Sequence, residues 1–467
     1  MIPLWTVRDA AAATGGSSIT DWAATGLSID TRSLSAGDLF VALRGPNHDG
    51  HDFVSSALER GAVAAMVDSV IPGLSRARLL RVADTFAGLT ALGSAARSRS
   101  DARIIAVTGS VGKTGTKEAL RLALGACGHT FASAGGLNNH WGVPLSLGRM
   151  PPDVAYGIFE LGMNHSGEIG NLTRLVRPHI AVITTVEPAH LGFFSSVEAI
   201  ADAKAEIFSG LEPGGIAVLN RDNPHYARLA AAAVRTGAAE VVSFGAHRAA
   251  TVRLLNSVLD PHSSTIDAAL PGFTLRVRLP VPGRHWVMNV LAVLAAVRAV
   301  GADPCRAAEA LAGLEELPGR GRRYELSWQD GTLTLIDESY NASPAAMSAA
   351  FAVLAAIPPA AGARRVAVLG DMLELGEATE RLHRELAAPL TAAGVDRVFL
   401  VGRAVAALYD ALPEARRGGL WRTADDAIDE LLRFLRAGDV VTVKGSRAIG
   451  LGPIVERLRA ESARREI

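Results

Sequence analysis

The 467 residues predict an α/β protein of three domains: a small N-terminal α/β unit, a central P-loop-type parallel sheet covered by helices, and a C-terminal Rossmann-like doubly wound unit. Three observations carry this. From residue 104 onward, short apolar runs of strand length alternate with longer segments of helical pattern. The stretch IIAVTGSVGKTGTKE, residues 104–118, leads from an apolar run through a glycine-rich turn into a helix. A Pro/Gly/Arg stretch, LPGRGRR at 317–323, interrupts the alternation, which then restarts. With a short polar segment at 98–103, these breaks set the domains at 1–100, 101–317 and 318–467.

In the first unit, DLFVAL (38–43) and AVAAMV (62–67) read as buried strands with a helix over 53–60 between them. Gly45, Pro46, Asn47, Asp49 and Gly50 are turn chemistry. In the second unit the expected strands are 104–107, 156–160, 180–184, 216–219 and 240–244, with a helix from Lys113 to about Cys127. In the third they are 333–336, 365–369, 398–401 and 440–443. The segment 317–323 reads as a linker. No internal repeat of short period and no low-complexity tract interrupts the pattern.

Composition excludes several classes. Lys+Arg and Asp+Glu are 47 each, so no net field draws nucleic acid or anionic lipid, and an anionic ligand must be held locally. The two cysteines, Cys127 and Cys305, form no disulfide framework and suit a reducing compartment. The opening MIPLWTVRDAAAATGG lacks the layout of a signal peptide, and the apolar stretch 287–300 is broken by Asn289 and Arg298. The expectation is a cytoplasmic chain without membrane insertion.

The chemistry gathers at expected strand ends, where α/β sheets place their ligands. Gly109, Ser110, Val111, Gly112, Lys113, Thr114 and Gly115 follow the first central strand. A turn of this kind at a helix N-terminus offers backbone N–H groups and a dipole to phosphate, Lys113 adds a positive charge, and the Thr114 hydroxyl can reach Mg²⁺. Val107 stands where the longer motif has a glycine, so the match is the short form GxxGKT. Glu160 closes a strand and is placed to bind Mg²⁺ directly or through water; by itself it is equally an exposed strand-end acid. His190 in EPAHL has a structural alternative, and Lys204 in AKAEI reads on spacing alone as a solvated lysine. Asn138 and Asn139 are turn residues by composition. Thr31, Arg32 and Ser33 form a polar turn, and Arg32 beside two hydroxyls suits a diphosphate or nucleoside. In the last unit Asp337, Tyr340 and Asn341 lie just past a strand, an acid and an aromatic fit for a ribose and a base, and Asp371 in GDMLELG reads as a helix cap.

Taken in order, TGSVGKT, ELGMNHSGEI, PAHLGFF, AKAEI, GRHWVMN, DESYNASP and GDMLELG resemble the Mur ligase family over nearly the whole chain. SYNASP and GDMLELG look most like the member that adds D-alanyl-D-alanine to UDP-N-acetylmuramoyl-tripeptide. The resemblance implies an ATP-dependent ligase acting as a monomer through an acyl phosphate. It implies a UDP-substrate domain at 1–100 with Thr31, Arg32 and Ser33 on that substrate, a central ATP-binding domain at 101–317, and a C-terminal ligase domain at 318–467. Residues 109–115 would hold the ATP phosphates with Lys113 on the β/γ region. Asn289, Asp337, Tyr340 and Asn341 would hold adenosine, and Asn138 and Asn139 would face the muramoyl-peptide side. Of two Mg²⁺ ions, Thr114 and Glu160 would take one, and Glu160, His190 and Lys204, the last as an N-carbamate, the other. The chain departs from the family's usual residues at Gly115, Gly136, Trp286 and Ser343. Two alternatives stand beside this reading: a relative that adds a diamino acid or glutamate, and a non-catalytic nucleotide-binding regulator.

Overall fold

The computed structural model describes residues 3–71, 73–74 and 78–465. The N-terminal unit is a four-stranded parallel sheet in the order Gly26–Ser28, Asp38–Val41, Ala64–Val67, Leu79–Arg81. Strands 38–41 and 64–67 are buried on both faces, which is why they read as unbroken apolar runs. Leu39, Val41 and Met66 face the helix Thr85–Ser98, and Phe40, Ala65 and Val67 face the helix Val54–Glu59. This unit is fastened to the centre by Trp5 Nε1 donating to the Gly148 carbonyl (2.8 Å) and Arg149 Nε to that of Leu27 (2.6 Å). Gly93 lies so close to the helix Gly142–Gly148 that a Cβ there would fall 2.9 Å from the Pro144 carbonyl oxygen.

The central sheet has nine strands in the order Phe273–Leu279, Ser264–Leu270, Val252–Leu259, Glu240–Gly245, Ile216–Asn220, Ile180–Ile183, Arg103–Thr108, Tyr156–Glu160, Thr130–Ala132. All neighbours are parallel except the antiparallel meander at 252–279. The meander is absent from the expected strands. Its middle strand alternates buried and half-buried residues, STIDAAL, and so offers no apolar run. Strand 103–108 lies between 180–183 and 156–160, with later strands running away on one side and 130–132 on the other. That is the topological switch point, where a crevice opens at the strands' carboxyl ends. Helices Lys113–Gly125, Arg284–Ala299 and Pro304–Ala310 cover one face, and Gly142–Gly148, Glu168–Val176, Val197–Ala205 and Tyr226–Arg235 the other. Among the described residues no helix is long and apolar enough to cross a membrane.

The C-terminal sheet has six strands in the order Arg322–Trp328, Gly331–Glu338, Val440–Lys444, Arg365–Gly370, Arg397–Val401, Arg417–Trp421, parallel except for the first hairpin. Helices cover both faces. Two expectations are corrected. The stretch 317–323 is no free linker: Leu317 bridges to Arg320 and Gly321, and Arg322 and Arg323 already pair with Asp337 and Ile336. Asp371 caps no helix of its own; its carboxylate accepts the backbone N–H groups of Arg403 (2.9 Å) and Val405 (2.8 Å), tying together two loops at the sheet's carboxyl edge.

Candidate active site

The glycine-rich turn has the shape its residues predict. Gly109 has φ +152° and lies against Thr184, where a Cβ would fall 1.9 Å from the hydroxyl oxygen. Gly112, at φ +83°, is the N-cap of helix Lys113–Gly125 and caps it with no side chain, which leaves the first-turn N–H groups for an anion. The turn is held from the next strand: Thr184 Oγ1 donates to the Val111 carbonyl (2.6 Å), Ser110 N–H to that of Thr185 (2.9 Å) and Ser110 Oγ to that of Glu187 (3.0 Å). The Lys113 ammonium rests on the Gly109 carbonyl (2.7 Å). Burial pushes its pKa below the usual lysine range; the Glu160 charge opposes this and the Arg320 charge adds to it.

Glu160 is 2% exposed, so its exposed-acid alternative is set aside. Its Oε2 accepts from Thr114 Oγ1 (2.9 Å), its Oε1 from Asn138 Nδ2 (2.8 Å), and its backbone N–H donates to Ser133 Oγ (3.2 Å). Among the described residues no cationic side chain forms an ion pair with it. A buried carboxylate with only neutral donors, beside a threonine hydroxyl, fits a hard cation that takes oxygen ligands.

Lys204 is not solvated: in the last turn of helix Val197–Ala205, it is 2% exposed. Burial pushes its pKa well below 10.5, and the Lys113 charge adds to the effect. His190 has φ 62° in a loop past strand 180–183, and its Nδ1 meets Glu374 Oε2 of the C-terminal domain at 2.5 Å. Its pKa is lowered by burial and by Lys113, with the Glu374 charge and hydrogen bond opposing. Lys113 thus links the group at the switch point: it feels the Glu160 charge, its own charge acts on His190 and Lys204, and Lys204 acts on His190.

The C-terminal domain brings a second group to the same crevice. The guanidinium groups of Arg320 (4.1 Å) and Arg447 (5.3 Å) both lie over the Tyr340 ring. The Tyr340 hydroxyl lies 2.6 Å from where a Cβ on Gly136 would stand, so Gly136 is the room the tyrosine occupies. Asp337 is buried and accepts from Gly319 N–H (2.8 Å), Ser339 N–H (3.1 Å) and Ser339 Oγ (2.6 Å), so it orders the turns on either side of Tyr340. The side-chain oxygen of Asn341 accepts from Ala342 N–H (2.9 Å), and its carbonyl accepts from the buried Lys444 ammonium (3.0 Å). Asn289, on helix 284–299, lies against the glycine-rich turn: Cβ atoms on Gly112 and Gly115 would fall 2.6 Å from its oxygen and 3.1 Å from its nitrogen.

The other departures also have local reasons. Trp286 packs on Gly115, with a ring carbon 3.1 Å from the position of a Cβ there, so the two substitutions are spatial neighbours and the ring takes the space a larger residue would fill. Ser343 caps helix Pro344–Ala356 by accepting from Ala346 N–H (3.4 Å). Asn139 caps the turn into helix 142–148 by accepting from Trp141 (3.2 Å) and Gly142 (2.9 Å) N–H groups. Thr31, Arg32 and Ser33 stand apart on the N-terminal sheet's edge. The Arg32 guanidinium, 87% exposed, is paired to Asp30 (2.6 Å), and the Thr31 carbonyl accepts from Arg60 (3.0 Å).

Four participants escaped the sequence reading. Lys117 is fully buried and donates to the Ser133 carbonyl (2.7 Å) while pairing with Glu118 (2.8 Å), so it supports the loop that carries Asn138. Arg320 lay hidden in the supposed linker, Glu374 within GDMLELG, and Arg447 just past the last strand. One signal was available for Lys117: it falls four residues after Lys113 on a helix whose neighbours at 119, 120, 123 and 124 are core.

The glycine-rich turn, the buried acid and two buried lysines meet at one crevice faced by the C-terminal domain, and comparison with known proteins gives the class. Residues 23–100, 107–297 and 322–447 match the Mur ligase family catalytic domain, the Mur ligase middle domain and the Mur ligase glutamate ligase domain. The chain belongs to the Mur ligase family, and it is an ATP-dependent ligase. It is 37% identical over 433 residues to the UDP-N-acetylmuramoyl-tripeptide–D-alanyl-D-alanine ligase of Escherichia coli K12, covering 92% of each chain. The crystal structure of MurF from Acinetobacter baumannii matches with a TM-score of 0.85 at 30% identity, over 98% of this chain and 100% of that one. MurF from Thermotoga maritima, solved in complex with ADP, matches with a TM-score of 0.75 at 26% identity, over 94% and 98%.

Proposed function

We propose that this chain joins D-alanyl-D-alanine to UDP-N-acetylmuramoyl-tripeptide at the expense of ATP, giving the UDP-muramoyl-pentapeptide used in peptidoglycan synthesis. The observation that carries the reading is the convergence of Lys113, the Thr114–Glu160–Asn138 set, His190 and Lys204 at one strand-end crevice faced by Arg320 and Tyr340. It is supported by the likeness to ligases of that name over more than nine-tenths of the chain.

The tripeptide carboxylate attacks the γ-phosphorus of ATP, releasing ADP and leaving an acyl phosphate. The dipeptide amine then attacks the acyl carbon and phosphate departs. Two anions must meet in the first step, so charge neutralisation dominates the barrier. The turn's N–H groups and Lys113 hold the triphosphate, and Arg320 supplies a further positive charge from the facing domain. Thr114 and Glu160 would hold one Mg²⁺, and Glu160, His190 and an N-carbamate on Lys204 a second. When bound, these ions offset the phosphate charge. Burial disfavours the charged form of the Lys204 amine, and the neutral form is the one that adds CO₂; the nitrogen bonds to carbon and a proton leaves. Asn289, Asp337, Tyr340 and Asn341 would frame adenosine, Thr31, Arg32 and Ser33 would take the UDP end, and Asn138 and Asn139 the peptide side. Docking of the C-terminal domain keeps water from the acyl phosphate. The reading divides the chain at 1–100, 101–317 and 318–467, and takes a cytoplasmic monomer as the acting unit.

Phosphate release is the test: ATP, Mg²⁺, UDP-muramoyl-tripeptide and D-alanyl-D-alanine, each omitted in turn. Release that needs all of them, with a UDP-pentapeptide by mass, is the expected result. Release only with UDP-dipeptide and a diamino acid would move the chain to the tripeptide-forming branch, and silence with every pair would overturn the ligase reading.

A further inference from the structure

Two loops 184 positions apart meet between the central and C-terminal domains. His190 and Glu374 both hold left-handed backbone, φ 62° and 66°, a conformation that side chains other than glycine seldom adopt. Each presents its side chain to the other, with His190 Nδ1 and Glu374 Oε2 2.5 Å apart. Two residues on, the backbones touch: Gly192 N–H donates to the Glu374 carbonyl (2.8 Å), and a Cβ on Gly376 would fall 2.9 Å from Gly192 Cα. Between them Leu191 packs against both the central core and the C-terminal core. A hydrogen bond, a backbone bond, a glycine-to-glycine approach and a shared apolar residue thus coincide within three residues of each loop.

We infer that residues 190–192 and 374–376 form a clasp that docks the C-terminal domain on the central domain, and that Glu374 is a positioning residue for His190. Nδ1–H donates to the Glu374 carboxylate, so ring orientation and tautomer are set from the facing domain and Nε2 is left with the lone pair. His190 is then correctly presented only when the domains are docked. The strained backbone at both residues is offset by contacts that exist only across the interface. This inference rests on the proposed ligase reading only for its kinetic consequence; the docking itself does not depend on which substrates the chain takes.

The test uses the full chain with Cys127 and Cys305 replaced by serine and spin labels at V234C and E430C, two exposed positions on the central and C-terminal domains. Interdomain distance distributions are recorded without substrates. Glu374→Ala should lower the docked-to-undocked ratio about tenfold, the effect expected for one charge-assisted hydrogen bond. Glu374→Gln, whose amide oxygen accepts from the same N–H, should retain most of the docked population. Gly192→Val should also undock, because the nearest atoms its Cβ would meet, Gly376 N (3.1 Å) and Glu374 O (3.3 Å), all belong to the C-terminal loop. In turnover, kcat should fall with the docked fraction in both variants while KM for UDP-muramoyl-tripeptide stays within about twofold. Distance distributions for Glu374→Ala and Gly192→Val that match the parent would overturn the clasp. A parent that docks as described but turns over no substrate pair would overturn the ligase reading and leave the clasp standing.

Discussion

Replacing Lys204 by methionine should separate stability from chemistry. The side chain is 2% exposed, and among the described residues its ammonium has no hydrogen-bonding or ion-pair partner. An amine buried without a counter-charge is destabilising, and Lys113 makes the charged form less favourable still. Methionine is unbranched, close in length and without a polar atom, so it can follow the same path. The folded protein should gain about 1–2 kcal/mol, a rise of about 2–8 °C in the melting temperature of a domain of this size. Turnover should fall about 10³-fold or more, the effect of several kcal/mol of lost charge stabilisation. Bicarbonate supplies the internal control: it should raise the melting temperature of the parent, by converting the amine to an anion beside Lys113, and leave Lys204→Met unmoved. The measurements are calorimetric melts in CO₂-free and bicarbonate buffers and ADP release under saturating substrates. A Lys204→Met variant with normal turnover would refute the carbamate. One that melts below the parent in CO₂-free buffer would refute the unpartnered amine.

Three further outcomes are expected. Lys113→Ala should leave the circular dichroism spectrum and melting temperature nearly unchanged, since its hydrogen bond is internal to the turn, while turnover drops about 10²–10³-fold; near-normal turnover would sink its assignment to the phosphates. Lys117→Met should lower stability by about 1–2 kcal/mol, because it leaves the Ser133 carbonyl without its buried donor while Glu118 keeps its pair with Arg121 (2.8 Å), and urea midpoints equal to the parent's would count against this. His179 accepts the Ile104 N–H through Nδ1 (2.9 Å), and burial, with Arg103 and Arg97 adding, lowers its pKa to about 4. The native state therefore binds its proton later than the unfolded chain. The contribution is fully present above pH 6.5 and lost as pH falls toward 4, worth about 2 kcal/mol after allowance for partial exposure. The decline between pH 6.5 and 4 should flatten in His179→Gln, and an identical decline in the two proteins would refute it.

Local order was legible because it repeats within short windows. Strand 156–160 and the turn at 109–114 stand where their residues place them, and the strand–helix alternation defines both large sheets. The glycine-rich turn at the strand end was legible too, since Gly109 and Gly112 stand where the backbone takes positive φ and opens helix Lys113–Gly125. The meander at 252–279 was not legible, because half-exposed strands carry polar residues at every second place. Neither was the burial of Lys204: in a helix's last turn a lysine ordinarily reaches water, and only the packing around it withholds that exit.

What the sequence determined by itself is most of the parallel strands and their helices, the glycine-rich turn at 109–115 and the family. What the tertiary structure decided is which distant residues share one space: strand 103–108 between two strands far along the chain, Tyr340 over Gly136, Trp286 on Gly115, and Glu374 on His190. The reason is physical. Helix and strand periods are properties of neighbouring residues, whereas these contacts exist only after long loops close and domains dock. Their free energy depends on shape and desolvation at surfaces that no local window contains.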